Sequence, residues 1–215
     1  MTTAIVGLGN IGSRLAENLV DGGREILLAG RDLDSARRLA GRLGDRATAV
    51  TVDRAVDRAD ILVLAVWYDT LRNLITEYGD RLNGTIVVDP SNPYAPGGRG
   101  GFTRRLPDDE SAAVTLAALL PDGARLVKAF GTLTAGSLRT AARRTPQRAV
   151  GFYAADDQEA GDAVAELIRA AGFEPLPVGG LDQALRIELP RDLHEMTLGR
   201  LPDIDEARRL LRSRQ

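Results

Sequence analysis

The apolar run Ala4 to Val6 breaks into Gly7, Leu8, Gly9, Asn10, Ile11 and Gly12 and resumes at helical spacing through Ile11, Leu15 and Leu19. Short apolar runs and amphipathic helical patterns then alternate along most of the 215 residues. Together these observations predict an α/β chain of Rossmann type: a doubly wound, mostly parallel sheet of about eight strands with helices on both faces. Composition excludes several functions. A net charge of −2 offers no broad basic surface, so nucleic acid is not an expected partner. The chain has no cysteine, hence no disulfide or thiolate nucleophile, and a single histidine rules out a histidine metal cluster. No apolar stretch approaches roughly 18 residues and the N-terminus resembles neither a signal nor a transit peptide, so a cytoplasmic protein without membrane contact is expected.

The glycines of the first turn have distinct predicted tasks. Gly7 permits the tight turn, Gly9 lets backbone approach a pyrophosphate, and Gly12 lets helix and strand pack closely. The helix that follows aims its free N–H groups and positive dipole end at the anion. Glycines also recur before helices for structural reasons alone, so context matters. Asp21 to Gly23 stop the helix, and Glu25 to Ala29 forms a second strand. NAD-binding domains usually place a carboxylate after this strand to hold the ribose 2′-hydroxyl. Here stand Gly30 and Arg31, which leave room for a 2′-phosphate and pair with it, so NADP(H) is the predicted cofactor. The alternative is a solvated Arg31, with Asp32 as a displaced ribose ligand.

Asp34 to Leu43 reads as a helix, Arg46 to Val52 as a third strand and Asp53 to Ala59 as a short helix. Ile61 to Val66 is the most apolar run and a central parallel strand. Val66, Trp67 and Tyr68 leave its carboxyl end, where open α/β sheets bind ligands. Either the two aromatic rings flank the nucleotide or Trp67 only covers the sheet. Leu71 to Leu82 reads as a helix and Thr85 to Val88 as a strand. The loop Asp89 to Tyr94 follows, its Asn92 and Pro93 forming a wall for a nicotinamide. Ala95 to Asp109 carries Gly97, Gly98, Gly100 and Gly101 with Arg99, Arg104 and Arg105. It reads as a flap, an anion site or a solvated linker.

Ser111 caps a helix to Leu120, and Arg125 to Ala129 is another strand, from which Phe130 to Ala135 emerge as a third loop at the same edge. Gln147 to Ala154 and Phe173 to Val178 are strands around the helix Asp157 to Ala171, and Ile204 to Arg212 is a last charged helix. The expected organisation is a dinucleotide-binding domain over residues 1–188, with a core of 1–140 and a sheet extension of 141–188, then a helical tail over 189–215. His194 is expected on the surface or capping a helix. No side chain lies in a catalytic motif, and no catalytic residue or metal ligand is assigned.

The opening GLGNIGSRLAENLVDGG, AGRD after the second strand, VWYDT after the fourth and VVDPSNP after the fifth carry a more specific signal. So do GGFTRRLPDDESAAVTLAALLPDGARLVKAFGTLTAG and the closing GFEPLPVGGL. On these strings, from Thr3 to about Glu188, the sequence resembles the NADPH-dependent F-420 reductases, relatives of the cytoplasmic reductase domain of STEAP metalloreductases. The resemblance implies NADP(H) on Leu8, Gly9, Asn10, Ile11, Gly30, Arg31 and Ser35, with further contacts from Tyr68, Asn92 and Ala135. It implies hydride transfer between NADPH and a deazaflavin, coenzyme F-420, or a related small-molecule acceptor. Asn92, Pro93, Thr132 and Leu133 would line the reacting rings, and Arg99, Arg104 and Arg105 would face the acidic tail of F-420. Gly131, Thr134 and the Asp182 to Ala184 segment depart from the family pattern on the acceptor side. Reduction of a flavin, ferric, imine or ketone substrate, or non-catalytic NADPH sensing, are the alternatives. A homodimer is kept open as the assembly.

Overall fold

The structure, a computed structural model, describes residues 1–97 and 101–213. The strands of its main sheet are β1 (Thr3–Val6), β2 (Ile26–Ala29), β3 (Ala47–Ala49), β4 (Ile61–Leu64), β5 (Ile86–Asp89), β8 (Arg125–Ala129), β9 (Val150–Ala155) and β10 (Glu174–Gly179). Between them run α1 (Asn10–Asp21), α2 (Leu33–Leu43), α3 (Val52–Arg58), α4 (Tyr68–Tyr78), α5 (Ala112–Ala117), α6 (Ala135–Thr140) and α7 (Gln158–Ala170). The chain closes with α8 (Glu195–Leu198) and α9 (Ile204–Arg212). The sheet order is β10-β9-β8-β5-β4-β1-β2-β3. Neighbours from β3 to β8 are parallel; β9 runs antiparallel to β8, and β10 is parallel to β9. The predicted doubly wound α/β class is what the chain adopts.

Strand side chains alternate between two cores, one on each face. Ile5, Leu28, Val63 and Val88 pack against α1, α2, α6 and α7. Ala4, Val6, Leu62 and Val87 pack against α3, α4, α5 and α9. Burial on both faces is why these strands read as continuous apolar runs. It also fixes the register that places the carboxyl ends of β1, β4, β5 and β8 side by side.

Two expectations are corrected. The predicted loop at Ala95 to Asp109 contains an antiparallel hairpin of β6 (Tyr94–Pro96) and β7 (Phe102–Arg104), separate from the main sheet. Gly98, Arg99 and Gly100 lie outside the described residues. Helix α4 begins at Tyr68, not Leu71, and after Tyr78 continues only as a 3-10 turn, because Gly79 takes a positive φ of 43°. Residues 189–213, the expected helical tail, pack against the rest of the chain: Val150 N donates to Pro202 O at 2.9 Å, Arg144 Nη1 to Leu201 O at 3.1 Å, and Ala207 is fully buried. No helix among the described residues is long and apolar enough to cross a membrane.

Candidate functional site

The turn from β1 into α1 separates the three glycines by task. Gly7 has a φ of 97°, and a Cβ there would lie 2.3 Å from Ala65 O. A Cβ on Gly12 would lie 1.8 Å from Gly7 O, so only glycine lets α1 pack against the turn. Around Gly9 nothing lies within 4 Å of an added Cβ, and Gly9 and Asn10 are exposed. Gly9 is also the N-cap of α1, no side chain caps the helix, and its first turn holds no acid. Open amides at the positive end of a twelve-residue helix, reached over a residue with no side chain, form an anion cradle.

Beside this cradle, Leu8 lies 3.7 Å from where a Cβ on Gly30 would stand, so the turns after β1 and β2 touch. Arg31 is exposed and makes no hydrogen bond or ion pair among the described residues. Asp32 is not placed as a ribose ligand: it caps α2, accepting from Asp34 N at 3.0 Å and from Ser35 N at 3.1 Å and Ser35 Oγ at 2.6 Å. The Ser35 hydroxyl and those amides hold its carboxyl below the ordinary aspartate value. Arg38, which the sequence reading missed, donates to Ser35 Oγ at 2.6 Å. Arg38 also lies 3.4 Å from Asp32 Oδ2, so Asp32, Ser35 and Arg38 form one network at the start of α2, next to Arg31 in sequence. The i, i+3 spacing of Ser35 and Arg38 on a helix was the available signal.

The other end of the edge is built over a buried ionic cluster. Lys128 and Asp89 are register partners on β8 and β5. Lys128 Nζ, fully buried, lies 2.7 Å from Asp89 Oδ2, also donates to Ser91 O, and lies 3.9 Å from Glu188 Oε1. Glu188 accepts from Ser111 Oγ at 2.8 Å, Ala112 N at 3.0 Å and Ala113 N at 3.1 Å, which satisfies the start of α5. Gly131 roofs the cluster: a Cβ there would meet Ser91 O at 3.2 Å and Lys128 Cε at 3.3 Å. Asn92 ties the roof down, its Nδ2 donating to Gly131 O at 2.9 Å while its Oδ1 accepts from Leu189 N at 2.7 Å. Phe130 enters this roof in the left-handed region, at φ 65° and buried, a strained backbone that the packing around it holds.

Sequence reasoning missed Lys128, although it is the only lysine in a chain otherwise supplied with arginine, a signal that could have found it. A compact ammonium fits between two carboxylates where a planar guanidinium would need more room.

His194 is corrected in part. It caps α8, Nδ1 accepting from Met196 N at 3.2 Å, but is only 3% exposed. Burial pushes its imidazole below the ordinary value, and the Lys128 charge acts the same way; Glu195 and a hydrogen bond to the Gly131 backbone act against them.

The aromatic and arginine expectations also change. Tyr68 is 1% exposed, its ring turned into the core with Leu71, Ile75 and Tyr78 on the inner face of α4, so its side chain cannot flank a nucleotide. Trp67 does not cover the sheet: it is 47% exposed and faces Phe102 of the hairpin, ring centroids 5.5 Å apart. Thr132 and Pro93 are buried, so they support the edge from beneath instead of lining it with side chains. Val66 and Ala135 are partly exposed at the ends of their strand and loop. Arg104 is no anion ligand. Its guanidinium donates to the carbonyls of Leu106, Leu189, Pro107, Asp108 and Glu110, closing the loop after β7. Arg105 pairs with Asp69 at 2.9 Å. Among the described residues no group of three or more acids and histidines could hold a metal ion.

A sheet whose order reverses at β1, with a glycine turn opening an uncapped helix at that reversal, defines a dinucleotide-binding chain of Rossmann type. Residues 2–93 match the family described as NADP oxidoreductase, coenzyme F420-dependent. It is 33% identical over 86% of its length to metalloreductase STEAP3 of Rattus norvegicus, of which it spans only 35%, about a third. It is 26% identical over 87% of its length to an F420-dependent NADP reductase of Methanothermobacter thermautotrophicus, covering 85% of that protein. A solved hypothetical protein from Sinorhizobium meliloti shares 33% identity and a TM-score of 0.80 over 90% of this chain and 92% of the other.

Proposed function

We propose that this chain is an NADP(H)-dependent oxidoreductase whose acceptor is a deazaflavin of the coenzyme F-420 type. One observation carries the cofactor half: the open cradle at Gly9 continues past Gly30 to an Arg31 with no partner of its own among the described residues. The amides of Leu8 to Ile11 would hold the pyrophosphate, and Arg31 with Ser35 and Arg38 would hold a 2′-phosphate. Val66, Asn92 and Ala135 stand at the loops that would flank the nicotinamide. The acceptor half rests on the family match over residues 2–93 and on the F420-dependent NADP reductase among the relatives.

When bound, NADPH supplies the hydride. The protein's contribution is orientation and fixed dipoles. Asn92 and Gly131 fix the loops on one side of the reacting edge, and the glycine turn fixes the other. No side chain has to exchange a proton in the hydride step, in keeping with a His194 that is buried and whose pKa burial lowers. The test is an anaerobic assay with NADPH and oxidised F-420 followed at the deazaflavin absorbance band, with FMN, ferric chelates and a cyclic imine in parallel. Bleaching of F-420 is expected. Turnover of another acceptor with none of F-420 would overturn the acceptor, and no NADPH binding at all would overturn the cofactor.

A further inference from the structure

The buried cluster beneath the proposed nicotinamide end does not balance in charge. Asp89 and Lys128 form one ion pair. Glu188 is a second carboxylate: all three of its short contacts are donors, two backbone amides and the Ser111 hydroxyl, so both its oxygens act as acceptors. On the Thr132 side stands Glu195, whose N–H donates to Thr132 O at 3.3 Å and whose Oε1 accepts from Ser137 Oγ at 3.0 Å. Its Oε2 is buried without a hydrogen-bond partner among the described residues. Two carboxylates, Asp89 and Glu188, thus face the one Lys128 ammonium, and Glu195 adds a third acid on the far side of His194, whose pKa burial lowers. Asp89, Lys128 and Glu188 are fully buried, away from bulk water, where charge is poorly screened; Glu195 is partly exposed.

We propose that this excess of carboxylate tunes the bound nicotinamide towards its oxidised form. The inference rests on the NADP(H) reading above. When a hydride, one proton with two electrons, leaves NADPH for the acceptor, the ring left behind gains a positive charge. A fixed negative charge near that ring favours the product of the transfer over the reactant, and so makes the bound cofactor a stronger hydride donor. Asp89, Glu188 and Glu195 are positioning and field-setting groups in this account; none touches the reacting atoms. A unit charge at a separation on the order of 10 Å and an effective dielectric of about 20 alters a cation's affinity by roughly tenfold. The same tenfold change corresponds to about 30 mV in the potential of a two-electron couple.

The test compares dissociation constants for NADP+ and NADPH, measured separately by calorimetry at fixed ionic strength on the full chain. In Glu188→Gln the ratio of the NADP+ constant to the NADPH constant should rise by roughly tenfold, and in the less enclosed Glu195→Gln by roughly twofold to fivefold. Glu188→Asp, which keeps the charge and disturbs the packing, should weaken both nucleotides alike and leave the ratio where it was. A folded Glu188→Gln with an unchanged ratio would overturn the proposal. If that variant fails to fold, Glu195→Gln decides alone by the same criterion. Wild-type protein that binds neither nucleotide would remove the NADP(H) reading and this one with it. Binding of both, with a ratio that no variant moves, would remove this one only.

Discussion

Gly9 and Gly12 stand three residues apart in one motif, and the structure assigns them opposite costs when changed to alanine. At Gly9 the backbone, φ −75° and ψ −160°, suits any residue, and an added Cβ meets nothing within 4 Å. Gly9→Ala should therefore keep the stability of the parent to within about 1 kcal/mol, the poorer capping of alanine offsetting its smaller loss of chain entropy. Its methyl would instead occupy the approach to the cradle. Loss of one or two charge-assisted hydrogen bonds from backbone to phosphate costs about 1.5–3 kcal/mol, roughly 10- to 150-fold in NADPH affinity. At Gly12 the methyl would sit 1.8 Å from a backbone carbonyl and 3.1 Å from Ala65 Cβ, so α1 itself must move. Overpacking of this kind costs about 1–3 kcal/mol, and a rigid backbone neighbour places it at the upper end, beyond the gain of about 1 kcal/mol in helix propensity. A net loss of about 2 kcal/mol lowers Tm by roughly 4–8 °C in a chain of this size. Calorimetric melting and nucleotide titration of both variants separate the effects. Gly9→Ala with parental NADPH affinity, or Gly12→Ala with parental Tm, would refute the division of labour.

Arg31→Ala should weaken NADPH by about 10- to 150-fold and leave NADH unchanged, measured by parallel titrations; equal losses for both would show that Arg31 does not read the 2′-phosphate. Lys128→Met should destabilise the fold by about 3–5 kcal/mol in urea, because Asp89 is left buried and unpaired; a loss under about 1 kcal/mol would mean the pair is not buried as drawn. Arg104→Ala should lower stability by about 1–3 kcal/mol by stripping donors from loop carbonyls, while NADPH affinity stays put. His194 is held below its unfolded value, so the native state resists protonation that the unfolded chain accepts. Its contribution is complete above about pH 6.5 and is lost as pH falls towards the lowered folded value, at up to about 1.4 kcal/mol per pH unit. His194→Asn, which retains a capping acceptor, should flatten urea-derived stability between about pH 6.5 and 5.5; an identical slope in both proteins would exclude this group as the cause.

Local features of the chain were legible because their causes are local. The glycine turn, the both-faces-buried strands and helix α9 each follow from spacing within a dozen residues, and the register of β1 against β2 and β4 follows from them. The inner face of α4 was legible too, in the 3-4-3 spacing of Tyr68, Leu71, Ile75 and Tyr78. Starting that helix at Leu71 detached Tyr68 from its own stripe and made a core residue look like a ligand. The hairpin had no comparable signal, since its glycine-rich stretch has no period of 2. Least legible was the Asp89, Lys128 and Glu188 cluster, whose members meet only once β5, β8 and the segment after β10 are folded together.

A lysine inside an apolar strand needs a buried counter-charge, and its being the only lysine should have prompted the search for one. The same long-range closure undid the arginine reading. Arg104 serves five carbonyls and Arg105 serves Asp69, so neither stands free to meet an acidic tail as Arg31 stands free to meet a phosphate. On the proposed NADP(H) side the glycine turn and Arg31 are thus open, whereas Arg104 and Arg105 at the hairpin are committed. If F-420 is the acceptor, its ring more than its tail must supply the recognition, and shortening the tail should change its KM less than threefold; a tenfold rise would return a cationic tail site to the hairpin.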